Sequence, residues 1–200
     1  MLVFGLAAGI GAWAVRDAWR LLAADLQALE PRALITTWSE DNPWTIEDWL
    51  YAQHHLQAAA AITPDNPVVW DYLAALYALR AAQAAPSMKA TFYEAAATAQ
   101  RRSLELRPEC GMAWADMALI EHHLAAGSTL EWDAWRRAGE LAPFEPASER
   151  IRADIAVLDE ASAGSAVRLW LSAYLESAGS AERDRLRRLA RMNSLAPPQG

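Results

Sequence analysis

The sequence predicts an all-α fold made of repeated helix pairs, and two observations predict it. Of its 200 residues 54% are hydrophobic, with Ala and Leu abundant and the β-branched Val, Ile and Thr sparse, a balance that favours helix over strand. The second observation is a proline turn that recurs in one phase, at Pro64, Pro108 and Pro143. A chain of this length is expected to form one compact unit.

The first element is the apolar run from Met1 to Val15, which contains no polar side chain. As a helix it rises about 22 Å, short of the roughly 30 Å hydrocarbon core of a bilayer. Arg16 and Arg20 could close the gap by snorkelling, with Trp13 and Trp19 at the interface. The expectation is a single-pass N-terminal anchor over residues 1–15. A cleaved signal peptide is the rival, since Ala12-Trp13-Ala14 fits a processing site, but the basic start is missing; a buried helix is the third reading. Gly5 and Gly9 stand four apart, as in membrane helices that self-associate. Counting Arg16 and Arg20 would place the body of the protein in the cytoplasm, against the acidic Asp17 between them.

A linker helix and turn follow over 16–44, with Trp19, Leu22, Leu26 and Leu29 as a helical stripe that Pro31 is expected to interrupt. Thr45 and Asp48 then stand at the spacing of a helix cap, opening a helix that runs to Ile62.

The repeat itself occupies 45–177. Pro64-Asp-Asn-Pro-Val-Val-Trp70-Asp-Tyr-Leu73-Ala74-Ala-Leu-Tyr77 recurs as Pro108-Glu-Cys-Gly-Met-Ala-Trp114-Ala-Asp-Met117-Ala118-Leu-Ile-Glu121. In both copies a Trp follows the Pro by six residues, a large apolar residue follows the Trp by three, and Ala comes next. The proline stops one helix, the Trp and the Leu or Met form a knob on the next, and the small residue lets two helices approach. Ser103-Leu-Glu-Leu-Arg-Pro108 and Ala138-Gly-Glu-Leu-Ala-Pro143 share an ending. From Pro64 to Pro108 is forty-four residues and from Pro108 to Pro143 thirty-five, the excess being placed near Ala85-Pro86-Ser87, in a loop between lengthened helices. Gly127 ends a helix, and Ser128 with Glu131 reads as a capping box for the next.

Ile151, Ile155 and Leu158 form a further stripe, and Val167, Trp170, Leu171 and Tyr174 another over about 165–177. An arginine-rich helix occupies 178–194, its core running from about Ser180 to Met192. Arg183, Arg185, Arg187, Arg188 and Arg191 surround Leu186, Leu189, Ala190 and Met192 there, as suits an end cap of a helical stack or a helix lying on anionic lipid. Residues 195–200 read as a disordered tail.

Several chemistries find no support. The net charge is −7 and Lys89 is the only lysine, so no positive field exists to attract nucleic acid. Cys110 is the only cysteine, which excludes an intramolecular disulfide. The histidines form adjacent pairs, His54-His55 and His122-His123, whose side chains diverge by about 100° on a helix and cannot chelate one ion as an i, i+4 couple does. No metal, cofactor or catalytic residue is expected, and no nucleophile elbow or phosphate-binding glycine loop is present.

The Trp-x-x-Leu-Ala-x-x-Tyr pattern at Trp70, Leu73, Ala74 and Tyr77 resembles the tetratricopeptide repeat, with Ala for the usual Gly. Ala52, Leu56 and Ala59 stand before Pro64 at that family's second-helix spacing. The resemblance implies an α-solenoid of antiparallel helix pairs with an N-terminal apolar helix. It implies a groove lined by Val68, Asp71, Ala75, Ala78 and Leu79 in one copy and by Met112, Ala115, Leu119, His122 and His123 in the next. That lining is mostly apolar, which implies either a hydrophobic partner segment or filling by the chain's own flanking helix.

Trp38, Trp44-Thr-Ile-Glu-Asp-Trp49, Ile62-Thr-Pro64-Asp-Asn-Pro67, the turn at Pro108 and Ala142-Pro143-Phe-Glu-Pro146 together resemble the VpsP family of bacterial polysaccharide-biosynthesis proteins. That resemblance implies a non-catalytic adaptor of an exopolysaccharide assembly and export machine. It would be held at the inner membrane beside other envelope proteins, with a periplasmic repeat domain favoured. Adaptors of cytochrome c maturation or of pilus assembly are the competing class.

Overall fold

The computed structural model describes residues 2–38, 41–195 and 198, with side chains from residue 15 onward. Among them every regular element is helical: α1 (Leu2–Thr37), α2 (Ile46–Ile62), α3 (Pro67–Gln83), α4 (Pro86–Leu106), α5 (Gly111–Ala125), α6 (Thr129–Leu141), α7 (Pro146–Leu158), α8 (Ser165–Ser177) and α9 (Ser180–Met192). The all-α fold class is thus observed. The chain divides into two compact units, Met1–Leu106 and Arg107–Gly200, where one was expected. Helices that pack mainly on their neighbours in sequence need no single centre.

The proline turns hold one phase. Each helix before the proline ends two residues ahead of it, at Ile62, Leu106 and Leu141, and each following helix starts three residues beyond, at Pro67, Gly111 and Pro146. The turns close alike, with the N–H of Asn66, Cys110 and Glu145 donating to the carbonyls of Thr63, Arg107 and Ala142 at 3.1, 3.2 and 3.4 Å. Trp70 and Trp114 make the same contact in their own turns, each donating Nε1–H to the carbonyl of the proline six residues earlier, at 3.0 and 2.7 Å. Both indoles are half-buried. Trp70→Phe and Trp114→Phe, which keep most of the ring and delete the donor, should each lower stability by about 1 kcal/mol in urea denaturation. Equal losses would reflect the shared geometry.

The long first period is explained by helix length: α3 and α4 have 17 and 21 residues where α5 and α6 have 15 and 13. The loop expected near Pro86 is only Ala84 and Ala85, because Pro86 opens α4, where its missing N–H is not needed.

In the first unit, α1 packs on α2 and touches α3, α2 packs on α3, and α3 on α4. The cap of α2 is as expected: Thr45 and Asp48 form a capping box, and the Thr45 backbone and hydroxyl donors hold the Asp48 carboxyl below its ordinary range. Trp49 donates Nε1–H to the Leu76 carbonyl at 2.9 Å, joining α2 to α3, and packs edge-on to Phe92 of α4.

The N-terminal expectation is corrected. No helix among the described residues is long and apolar enough to cross a membrane. The apolar run is not a separate helix: α1 continues without a break through Arg16, Asp17, Arg20, Asp25, Glu30 and Arg32, and fifteen apolar residues fall short of a span. Single-pass anchoring at the bacterial inner membrane is therefore overturned. Arg20, assigned to snorkelling, instead donates to the Ile62 carbonyl at the end of α2 at 2.9 Å. The side chains at 2–14, including any pairing through Gly5 and Gly9, lie outside the described residues.

Two details of α1 also differ from expectation. Pro31 is buried inside the helix and does not interrupt it. The stripe of Trp19, Leu22, Leu26 and Leu29 is not the packing face, since these side chains are exposed while Ala24 and Ala28 are buried. Small residues let α2 come close to α1, which the large ones would prevent.

In the second unit, α5 packs on α6 and α7, and α7 also contacts α6, α8 and α9. The arginine-rich α9 buries Leu186 and Ala190. Arg185 bridges α9 to α7, pairing with Asp154 at 2.6 Å and with Glu182 at 2.7 Å. The Glu182 hydrogen bond first, then Asp154, holds the guanidinium charged. Tyr174 of α8 donates to Glu182 at 3.1 Å, and burial together with that carboxylate pushes its hydroxyl up to about 12. Of the tail expected at 195–200, only Leu195 and Pro198 fall within the described residues.

Candidate functional site

The groove residues expected on α3, Val68, Asp71 and Leu79, are half-buried. Near them the first unit carries an apolar cleft of about 550 Å³, walled by Pro64, Trp70, Leu73, Tyr77, Gln57 and Thr98. The Tyr77 hydroxyl accepts from Gln57 at 3.0 Å and from Gln53 at 3.3 Å, which fixes the ring at the cleft wall.

On α5 the expected face is partly covered, with His122 half-buried. Ala115 is fully buried, Met112 and Leu119 are half-buried, and only His123 is exposed. The coverage comes from packing on two sides, by α6 and by α7.

The repeat phase shows where the chemistry collects. Twelve residues before each turn proline stand Ala52, Ala96 and Glu131, all fully buried; nine residues after stand Leu73, Met117 and Arg152, also buried. Two copies follow the apolar rule and the third breaks it twice with a charge. Charged groups at buried positions must find partners or distort the fold.

Arg152 finds aromatic rings. Its guanidinium lies 4.1 Å from the Trp135 ring centroid and 4.2 Å from that of Trp170, sandwiched between α6 and α8. Gly139 makes room, since a Cβ there would stand 2.4 Å from the guanidinium carbon. Trp135 donates Nε1–H to the Arg152 carbonyl at 2.9 Å. Burial lowers the guanidinium to about 10, with Glu149 opposing the shift. This arrangement is a packing device with no open face.

Glu131 finds a more reactive setting. Its N–H donates to the Ser128 hydroxyl at 3.2 Å, as the capping pattern predicts. Its carboxylate does not return to Ser128 but accepts from the Gly127 N–H at 2.6 Å, because Gly127 has a left-handed backbone, φ +78°, that turns this N–H inward. The other carboxylate oxygen meets His122 Nδ1 at 3.0 Å. Asp159, the residue that ends α7, completes the group: ligand atoms of His122, Glu131 and Asp159 all lie within 4.8 Å of one another. The Ser162 hydroxyl donates to Asp159. A Cβ on Gly127 would stand 3.1 Å from an Asp159 carboxylate oxygen, so glycine allows the two turns to meet.

Sequence reasoning tested the histidines only against each other, and so missed this cluster. The detectable signal was Glu131, and likewise Arg152, standing where the other repeat copies are apolar. Nothing in the sequence pointed to Asp159.

No family model, curated protein or solved structure matches the chain. The resemblances to the tetratricopeptide repeat and to the VpsP family accordingly rest on the residues quoted for them.

Proposed function

We propose that this chain is a non-catalytic, tetratricopeptide-like helical scaffold that works by binding another protein through an amphipathic helix of that partner. One observation carries the reading: the uncovered apolar face of α1. Val15, Trp19, Leu26 and Leu29 are 72%, 71%, 64% and 65% exposed, with Leu22 between them at 48%. Their spacing alternates four and three, the seam that accepts a second helix by knobs-into-holes packing. A contiguous apolar stripe of this kind marks an interaction surface on a folded protein. The shared phase of the proline turns supports the solenoid of antiparallel pairs, and the VpsP resemblance supports a partner within a polysaccharide assembly machine.

A photo-crosslinking amino acid at position 22 or 26 tests the proposal, with position 137, exposed on α6, as control. Discrete protein adducts are expected in cells from 22 and 26 and not from 137. Adducts with lipid alone, or none, would overturn the reading. Mass spectrometry of the adduct separates a polysaccharide-machine partner from one in cytochrome c maturation or pilus assembly.

A further inference from the structure

We propose that His122, Glu131 and Asp159 form a binding site for one divalent transition-metal ion, with zinc as the best-fitting candidate. Three elements converge on it: α5 supplies the imidazole, the first turn of α6 one carboxylate, and the end of α7 the other. The donor set is one nitrogen and two carboxylates, which suits zinc and its neighbours in the first transition row, whereas calcium and magnesium take shells made entirely of oxygen.

Charge balance points the same way. Glu131 is fully buried, and among the described residues it is paired with His122 and with no arginine or lysine. Asp159 brings a second carboxylate alongside. The His122 Nδ1 and a Glu131 carboxylate oxygen stand 3.0 Å apart, a separation that an Nδ1–H hydrogen bond spans when no metal is bound. A divalent ion bound in place of that proton balances both carboxylates.

The distances are suitable. Ligands held at about 2.0–2.2 Å around a tetrahedral zinc are roughly 3.3 Å apart. His122 and Glu131 are already close to that separation, and the ligand atom of the half-buried Asp159 lies within 4.8 Å of both, so binding requires it to move inward. The Gly127 N–H on the second Glu131 oxygen orients the carboxylate from behind, as an outer-shell donor does in built metal sites. A cleft of about 410 Å³, lined in part by Gly127, Thr129, Trp132 and Gly164, shares Gly127 with the cluster. Three protein ligands leave a fourth position for water.

The test uses the full chain freed of metal with EDTA and titrated with ZnCl2 by calorimetry and with Co2+ by visible absorption. One ion per chain is expected, with d–d bands for Co2+ and a rise in melting temperature on adding zinc. Asp159→Asn, at a half-buried position, should keep the fold and weaken binding by at least about tenfold; His122→Ala should do the same, and His123→Ala and His54→Ala should change nothing. The proposal fails if the chain binds no ion, if Asp159→Asn and His122→Ala bind as well as the unaltered chain, or if His123→Ala or His54→Ala weakens binding equally. Circular dichroism of each variant separates lost ligation from lost folding, and Asp159→Asn decides the matter if His122→Ala does not fold.

Discussion

Trp135→Ala is expected to lower the unfolding free energy by about 4 kcal/mol, more than the same truncation of the half-buried Trp70 or Trp114. Trp135 is 6% exposed. It packs edge-on against Trp170 at 5.1 Å between ring centroids, forms one wall of the Arg152 sandwich, and donates to the Arg152 carbonyl. Truncation opens a cavity, strips the guanidinium of one of its two rings, and deletes the hydrogen bond from α6 to α7. Urea denaturation of the purified protein measures the effect as a fall in midpoint. A change under about 1 kcal/mol would mean that α8 closes over the space.

Arg152→Met provides the contrast that identifies the cause. Arg152 occupies the position of Leu73 and Met117 in the other copies, and its Nε has no hydrogen-bond partner. Methionine preserves the length of the side chain and removes a buried charge whose desolvation outweighs its attraction to Glu149. The lost cation–π attraction, about 2 kcal/mol per desolvated ring, is offset by the recovered desolvation cost. The variant should lie within about 1 kcal/mol of the parent. A loss near that of Trp135→Ala would show that the aromatic clamp depends on the charge itself.

Glu131→Leu, measured with EDTA present so that no metal contributes, is the second large effect, a loss of about 3 kcal/mol. The substitution matches the polarity of the equivalent Ala52 and Ala96 but leaves the Gly127 N–H and the His122 ring without their acceptor. Glu131→Gln keeps an oxygen for the Gly127 N–H and turns its amide N–H toward His122, whose neutral ring accepts at Nδ1 with its proton on Nε2, and it should cost about 1 kcal/mol. The comparison is read by thermal melting, and equal losses from the two variants would mean that the carboxylate charge, not its hydrogen bonds, holds the turn.

Much of the helical order was legible before any coordinates. The ends of α8 and α9 fall at Ser165–Ser177 and Ser180–Met192, as the stripes of Val167, Leu171 and Leu186 indicate. The Thr45–Asp48 cap and the turns at Pro64, Pro108 and Pro143 were equally readable, because each depends on a few adjacent residues. The Gly127–Ser128–Glu131 cap was half legible: the Ser128 contact follows from spacing, whereas the return contact to Gly127 depends on a positive φ. The site was not legible, since His122 belongs to α5 and Asp159 to the end of α7, and spacing within one helix says nothing about that meeting.

The sequence by itself determined that the chain is helical and where its repeat turns fall. Alanine and leucine set the propensity, prolines cannot continue a helix, and side-chain caps satisfy the free N–H groups that remain. Tertiary structure alone decided which stripe of α1 is covered, which helices pack on α5, and which partners the buried Glu131 and Arg152 find. The physical reason is that periodicity defines the faces of a helix without assigning neighbours to them. Those neighbours follow from close packing, which here favoured the small Ala24 and Ala28 face of α1 over its leucines and brought carboxylates from α6 and α7 to one imidazole on α5.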